Sequence, residues 1–214
     1  MIVVDLECSG DDYEKCGIVE IGAVDIDNPK NSFCECARIS ENETIVNNPN
    51  ASLTVLDVLG MTEEELRDEK KQTEKELLEN FFNWCIKNDY ATMICQHPQF
   101  DVAFLEHRAR KNNVKFPISY KALDLHTLAQ LKWFEIHNEF SLIDDFSSIG
   151  LKTILEFAGM QDNRNAHNAL EDAKLEAECF YRLVYGKNLF EEYNEFPIPD
   201  YLLKSDQEKS DDNL

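Results

Sequence analysis

The chain has 214 residues, 43% of them hydrophobic, which suits one domain able to bury most of its apolar surface. No stretch reaches the roughly 18 apolar residues of a membrane span, and Met1 runs into Ile-Val-Val-Asp with no basic leader, so neither an integral membrane protein nor a cleaved signal peptide is expected. Acids outnumber bases 42 to 21, for a net charge of −21, so no long-range field steers a polyanion and any such ligand must be short or held locally by cations.

Residues 2–7 read as a buried strand, an apolar run closing on Asp-Leu-Glu. Residues 18–26 form a second strand after a turn holding Asp11, Asp12 and Gly17, and 32–39 alternate as a third, predicting an antiparallel meander. Cys34-Glu35-Cys36 has the look of a zinc half-site, but it lacks a second Cys/His pair and alternates as strand side chains do. Seven cysteines without regular spacing suit a reducing compartment, so a cytoplasmic location is expected. A short helix is expected within 49–59, broken by Gly60, and Thr62 with Glu65 forms a capping box. Residues 73–87 form an amphipathic helix with Leu77, Leu78, Phe81, Trp84 and Cys85 on one side.

Residues 92–96 are a short apolar strand, followed by a helix over 100–111. Arg108, Arg110, Lys111 and Lys115 form the densest basic run, read first as a solvated helix face and second as a phosphate track. Residues 122–125 make a fifth strand running into a helix to about Trp133. Further helices cover 151–158, stopped by Gly159, and 170–184, with Ala173, Ala177, Phe180 and Val184 on one side. Beyond Gly186 the composition changes, so the chain divides into a domain at 1–185, an extension at 186–204 and an acidic, disordered tail at 205–214. Three strands first, then strands alternating with helices, predict an α/β fold: a mixed five-stranded sheet, three strands antiparallel and two parallel, flanked by helices.

Asp5 and Glu7 lie two apart on a strand, so both carboxylates share one face. Such a pair is either a solvated strand end or a crowded site, and crowded carboxylates repel unless a hard divalent cation sits between them. Asp101 falls in the first turn of a helix, where an acid complements the helix dipole. His167 and Asp172 flank the start of the last helix; at five residues apart they face one site only if His167 precedes the helix proper.

These residues form an ordered set that carries a resemblance. Val4-Asp5-Leu6-Glu7-Cys8-Ser9-Gly10 resembles the D-x-E-x-T-G motif of the DEDD 3′–5′ exonuclease superfamily, with Ser9 in place of the commoner Thr. Ile18-Val19-Glu20-Ile21-Gly22-Ala23-Val24 is similar to that superfamily's second strand, and Val58-Leu59-Gly60-Met61-Thr62 to its V-x-G-[IM]-T connection. Gln96-His97-Pro98-Gln99-Phe100-Asp101 resembles the H-N-x-x-F-D motif, with Gln-His where relatives have His-Asn. His167-Asn168-Ala169-Leu170-Glu171-Asp172 matches H-x-A-x-x-D, the mark of the DEDDh branch that includes proofreading epsilon subunits, ribonuclease T and oligoribonuclease.

The resemblance implies an RNase H-like fold and a catalytic set of Asp5, Glu7, Asp101, Asp172 and His167. The four acids would hold two Mg²⁺ or Mn²⁺ ions, and His167 would act as general base in releasing nucleoside 5′-monophosphates from single-stranded DNA or RNA 3′ ends. Cys8, Ser9, Gly10, His97 and Phe100 are the expected substrate contacts. Two other readings stand beside it: an oligoribonuclease-like scavenger of very short RNA, and a weakly active module bound to a polymerase or other protein through the C-terminal extension. Residues 130–134, Gln-Leu-Lys-Trp-Phe, resemble a clamp-docking peptide, but Leu125, Leu128 and Leu131 at helical spacing are expected to face the core.

Overall fold

The computed structural model describes residues 1–47, 53–162 and 168–203, and it divides into two compact units. The first comprises Met1–Asp124 and Arg164–Lys174. Its apolar N-terminal segments form β1 (Ile2–Cys8), β2 (Ile18–Asp25) and β3 (Ser32–Cys36), paired antiparallel. Two short strands, β4 (Met93–Cys95) and β5 (Leu123–Asp124), add in parallel on the other side of β1. The order β3-β2-β1-β4-β5 puts β1 at the centre of the expected mixed sheet. β3 ends before the expected Ile39 because the backbone turns away to another partner: the Arg38 N–H donates to the Gln72 carbonyl.

Four helices follow from local signals: α1 (Val55–Leu59), α2 (Glu63–Leu66), α3 (Glu74–Lys87) and α4 (Pro98–Lys111). The first three each open on a threonine capping box, Thr54 with Asp57, Thr62 with Glu65 and Thr73 with Glu76. α1 occupies the later part of the expected 49–59 helix, and Gly60 closes it in the left-handed conformation at φ 61°. Residues 48–52 lie outside the described residues.

The period-two pattern sorts the sheet into two faces. Ile2, Val4 and Leu6 of β1, with Ile21, Ala23 and Phe33, share one core cluster with Leu77, Leu78 and Phe81 of α3 and Phe104 and Leu105 of α4. Each fully buried side chain of this kind contributes about 1.5–3 kcal/mol, so this face supplies the main driving force for folding. The opposite face carries Asp5 and Glu7 of β1 and Glu20 of β2.

The basic run on α4 corrects the sequence reading. Arg108 is fully buried, whereas Arg110 is 73% exposed. Positions 101, 104, 105 and 108 repeat at helical spacing on the inner side, so one member of the run must turn inward. The Arg108 guanidinium donates to both Glu74 oxygens, Nε to Oε1 at 2.7 Å and Nη2 to Oε2 at 2.6 Å, and also pairs with Glu43. Glu74 Oε1 accepts the Ile18 N–H at 2.8 Å as well, so the cluster ties α4 to α3 and the start of β2.

The second unit comprises Leu125–Asn163 and Leu175–Leu214. It holds α5 (Leu125–His137), a hairpin of β6 (Leu142–Ile143) and β7 (Phe146–Ser147), α6 (Leu151–Phe157) and most of α7 (Ala169–Tyr185). The hairpin turns on Asp144 and Asp145, both at positive φ, and Asp-Asp is a weaker turn signal than Asn-Gly, which is why the sequence did not announce it. Leu131 is 52% exposed rather than core, because the neighbouring Gln130 takes the inward place. Gln130 Nε2 donates to the Ser141 carbonyl at 3.0 Å and to Ser147 Oγ at 2.7 Å, holding the hairpin.

The C-terminal extension, through Leu203, folds onto its own unit. Arg182 and Glu178 are fully buried; Arg182 donates to the carbonyls of Ala158, Tyr193 and Phe196, and Glu178 Oε2 accepts the N–H groups of Leu189 and Phe190. The Tyr201 hydroxyl donates to the Phe157 carbonyl at 2.7 Å. The expected tail at 205–214 lies outside the described residues.

Removing the Arg108 side chain strands two buried carboxylates. Arg108→Leu is expected to cost about 3–5 kcal/mol, read as a shift of the urea unfolding midpoint. A loss below about 1 kcal/mol would mean that the cluster behaves as an exposed pair in solution.

Candidate active site

The register of β1 on β2 pairs Asp5 with Gly22 and Glu7 with Glu20, and directly opposed residues in an antiparallel pair share a face. Asp5 and Glu7 therefore point away from the α3/α4 core, with Glu7 only 7% exposed. α7 starts against the same face. A Cβ on Gly22 would stand 2.0 Å from the Ala169 carbonyl carbon, so only glycine admits the helix at this distance. Asn168 caps the helix: its Oδ1 accepts the Glu171 N–H at 3.1 Å, and its carbonyl accepts the Asp172 N–H at 2.9 Å. Asp172 projects from this first turn, 2% exposed, and one oxygen each from Asp5, Glu7 and Asp172 lie within 4.8 Å of one another.

Asp101 arrives from the other side of β1. β4 pairs with β1 at Ile2↔Met93 and Val3↔Ile94 and ends at Cys95, so α4 begins beside the C-terminal half of β1. Asp101 sits in the first turn of α4, 4% exposed. Burial pushes its carboxyl up from 3.8 to about 8, and the charge of Glu7 adds to the rise. Asp101 is not one of the three oxygens that converge, yet it titrates under the influence of Glu7. The Cys8 thiol is also pushed well up, first by burial and then by the charges of Asp101, Glu7, Glu74 and Asp5.

A groove of about 240 Å³ opens beside Glu7. Cys8 and Gly10 line it on the strand side, and Leu53, Val55 and Phe100 line it opposite. Gly10 is held at φ 154°, and a Cβ there would meet the Val46 carbonyl at 2.8 Å. Ser9 is fully buried and does not line the groove: its hydroxyl donates to the Thr44 carbonyl and accepts the Gly17 N–H, and its own N–H donates to the Gly17 carbonyl. Phe100 is 36% exposed, while Phe104, 4.7 Å away between ring centroids, is core. His97 is exposed at the N-cap of α4 with φ 63°, and its N–H donates to Asp124 Oδ1 at 3.3 Å. His167 lies outside the described residues.

Three carboxylates with converging oxygens make an all-oxygen, anionic donor set, which is the chemistry of a hard divalent cation. The donor set fits a metal: carboxylate oxygens brought this close together are the usual ligands of a hard divalent cation. The structure also shows two residues to which the sequence reading gave no role, Glu20 and Gly22. The signal for Glu20 was present. It is an acid in the middle of the apolar run of β2, a strand buried along its whole length.

Comparison with known proteins agrees with this architecture. The RNase T family model, described as an exonuclease, matches residues 2–180. A search of curated protein sequences returns no match. Among solved structures, cell-death related nuclease 4 superposes with a TM-score of 0.64 at 16% identity, over 86% of this chain and 62% of that one. A 3′-exonuclease that recognises the 3′ end of histone mRNA stem-loop gives 0.63 at 15% identity, over 85% and 62%. E. coli exonuclease I in complex with a dT13 oligonucleotide gives 0.60 at 15% identity, over 85% and 40%. The chain thus spans 62% of the length of the first two and less of the third. With the family model covering most of its length and Asp5, Glu7 and Asp172 gathered on one sheet face, the chain belongs to the RNase T exonuclease family, within the DEDD 3′–5′ exonuclease superfamily.

Proposed function

We propose that this protein hydrolyses the 3′-terminal phosphodiester of single-stranded DNA or RNA, releasing nucleoside 5′-monophosphates. The convergence of Asp5, Glu7 and Asp172 beside a groove that Glu7, Cys8, Gly10 and Phe100 line carries this reading. The three acids, with Asp101 as the fourth, hold two Mg²⁺ or Mn²⁺ ions. When bound, the ions lower the pKa of water and offset charge at the attacking and leaving oxygens. His167 serves as general base, a role supported by the H-x-A-x-x-D spacing. The water oxygen bonds to phosphorus, the bond from phosphorus to the 3′ oxygen breaks, and that oxygen leaves with a proton. Phe100 offers a ring face to the terminal base, and Cys8 and Gly10 border its sugar and phosphate. Binding of a dT13 oligonucleotide by the exonuclease I neighbour, and recognition of an RNA 3′ end by another, support a single-stranded end as substrate.

A net charge of −21 favours the shorter end of the substrate range, as for an oligoribonuclease-like scavenger. Seven free thiols support the cytoplasmic setting expected from the sequence.

Labelled single strands of DNA and RNA, from dinucleotides upward, are expected to shorten from the 3′ end with Mg²⁺ or Mn²⁺ and not with chelator. Asp5→Ala and Asp172→Ala should abolish the ladder, and His167→Ala should slow it by about 10²–10⁴-fold. Folded wild-type protein that cleaves none of these strands would sink the reading.

Asp101 sets a pH dependence. Its folded-state carboxyl titrates near 8 against an ordinary 3.8, so the metal-free native state binds more protons than the unfolded chain between those values. The contribution of this group to metal-free stability must therefore fall as pH rises from about 4 to about 8. Divalent cation, which favours the ionised form, should flatten that slope, because the carboxyl is then ionised in both the folded and the unfolded state above about pH 4. Thermal melts across this range, with and without Mn²⁺, measure it, and identical slopes would remove Asp101 from the metal site.

A further inference from the structure

Asp5 and Glu7 need no further placement, because the central strand that carries them is paired on both sides. Asp172 does. It comes from far along the chain, and its position depends on where α7 starts. Two β2 residues meet that start. Gly22 leaves the gap that the Ala169 backbone fills, and Glu20, two residues earlier on the same face, meets the helix end. One Glu20 oxygen accepts Asn168 Nδ2–H at 2.9 Å, and the other accepts the Ala169 N–H at 3.4 Å. Asn168 in turn holds the Glu171 and Asp172 N–H groups, so a hydrogen-bonded path runs from β2 to the backbone of Asp172.

Glu20 is 4% exposed and stands in register with Glu7, already beside other acids. A fourth buried carboxylate is electrostatically costly, and an apolar residue would fill the space at lower cost. Its position at the N-terminus of a 17-residue helix explains why it is tolerated: the end N–H groups and the positive end of the helix dipole face it. On the far side Cys34 Sγ–H donates to it at 3.3 Å, and the Cys34 thiol, pushed up to about 12 by burial and by Glu20, remains a donor.

We infer that Glu20 is a positioning residue: its carboxylate clasps the N-terminus of α7 through Asn168 and so sets Asp172 against Asp5 and Glu7 for cation binding. The inference rests on the metal-site reading above.

Mn²⁺ titrated calorimetrically into chelator-treated full-length protein tests it. Glu20→Ala should keep the wild-type far-ultraviolet spectrum while binding Mn²⁺ about 10–100-fold more weakly, the usual loss when a group that orients a ligand is removed. Its kcat on single-stranded DNA should fall with KM unchanged and recover as Mn²⁺ is raised, which a folding defect would not do. Glu20→Gln keeps an acceptor for Asn168 and should recover part of the affinity. Because Glu20 acts through Asn168, the double variant with Asn168→Ala should bind no more weakly than the weaker single variant. If Glu20→Ala does not fold, Asn168→Ala cuts the same link from the partly exposed side and must give the same weakening. Wild-type protein that binds no Mn²⁺ overturns the metal site and the clasp together. Wild type that binds Mn²⁺ with Glu20→Ala or Asn168→Ala binding equally well overturns the clasp alone.

Discussion

Like charges gathered on the open face of a central strand set the terms for the rest of this structure. Asp5 and Glu7 leave β1 on the side away from the α3/α4 core, Asp172 joins them from the start of α7, and Asp101 lies buried in the first turn of α4. Such a group of acids is unstable in a dry interior, and Asp101 shows the strain directly, its carboxyl pushed up to about 8 by burial and by Glu7. The rest of the sheet accommodates this. Ile2, Val4 and Leu6 of β1, with Ile21 and Ala23 of β2, are committed to the other face, where aromatic and aliphatic burial is large enough to offset a face devoted to chemistry. β4 is short, which lets α4 begin next to the acids. A cation is the natural complement of what remains.

Buried charge occurs on both sides of the sheet and is resolved in different ways. On the core side, Arg108 answers Glu74 and Glu43 with a bidentate guanidinium, and the cluster joins two helices to β2. On the site side, Glu20 meets a helix end, an amide and a thiol rather than a full positive charge. The first arrangement closes a structural joint. The second holds the end of a helix against the sheet through neutral donors.

The sheet and its principal helices were legible because their signals are local. The apolar runs in residues 2–7 and 18–26, period two in 32–39, period 3.6 in 73–87 and the Thr62–Glu65 capping box each act over a few residues. Errors appear where a long-range partner decides. Arg108 reads as one of four surface cations until the inner face of α4 is known. Leu131 reads as core until Gln130 is seen bonded to the β6–β7 hairpin, whose Asp144-Asp145 turn is itself a weak local signal. Ser9 lies within the first motif, yet its hydroxyl is spent between Gly17 and Thr44, a contact across a loop that spacing does not reveal.

The amino-acid order alone determined that Asp5 and Glu7 share a face, that Asp101 opens a helix and that Asp172 lies in the first turns of another, because strand and helix periods are properties of the local backbone. It also carried the family, through five short motifs in register. Tertiary structure decided which carboxylates converge, that Asp101 is buried enough to titrate near 8, and that Glu20 and Gly22 receive the end of α7. Those outcomes depend on distances between segments far apart in the chain. Such distances follow from the packing of whole elements, which no local periodicity contains.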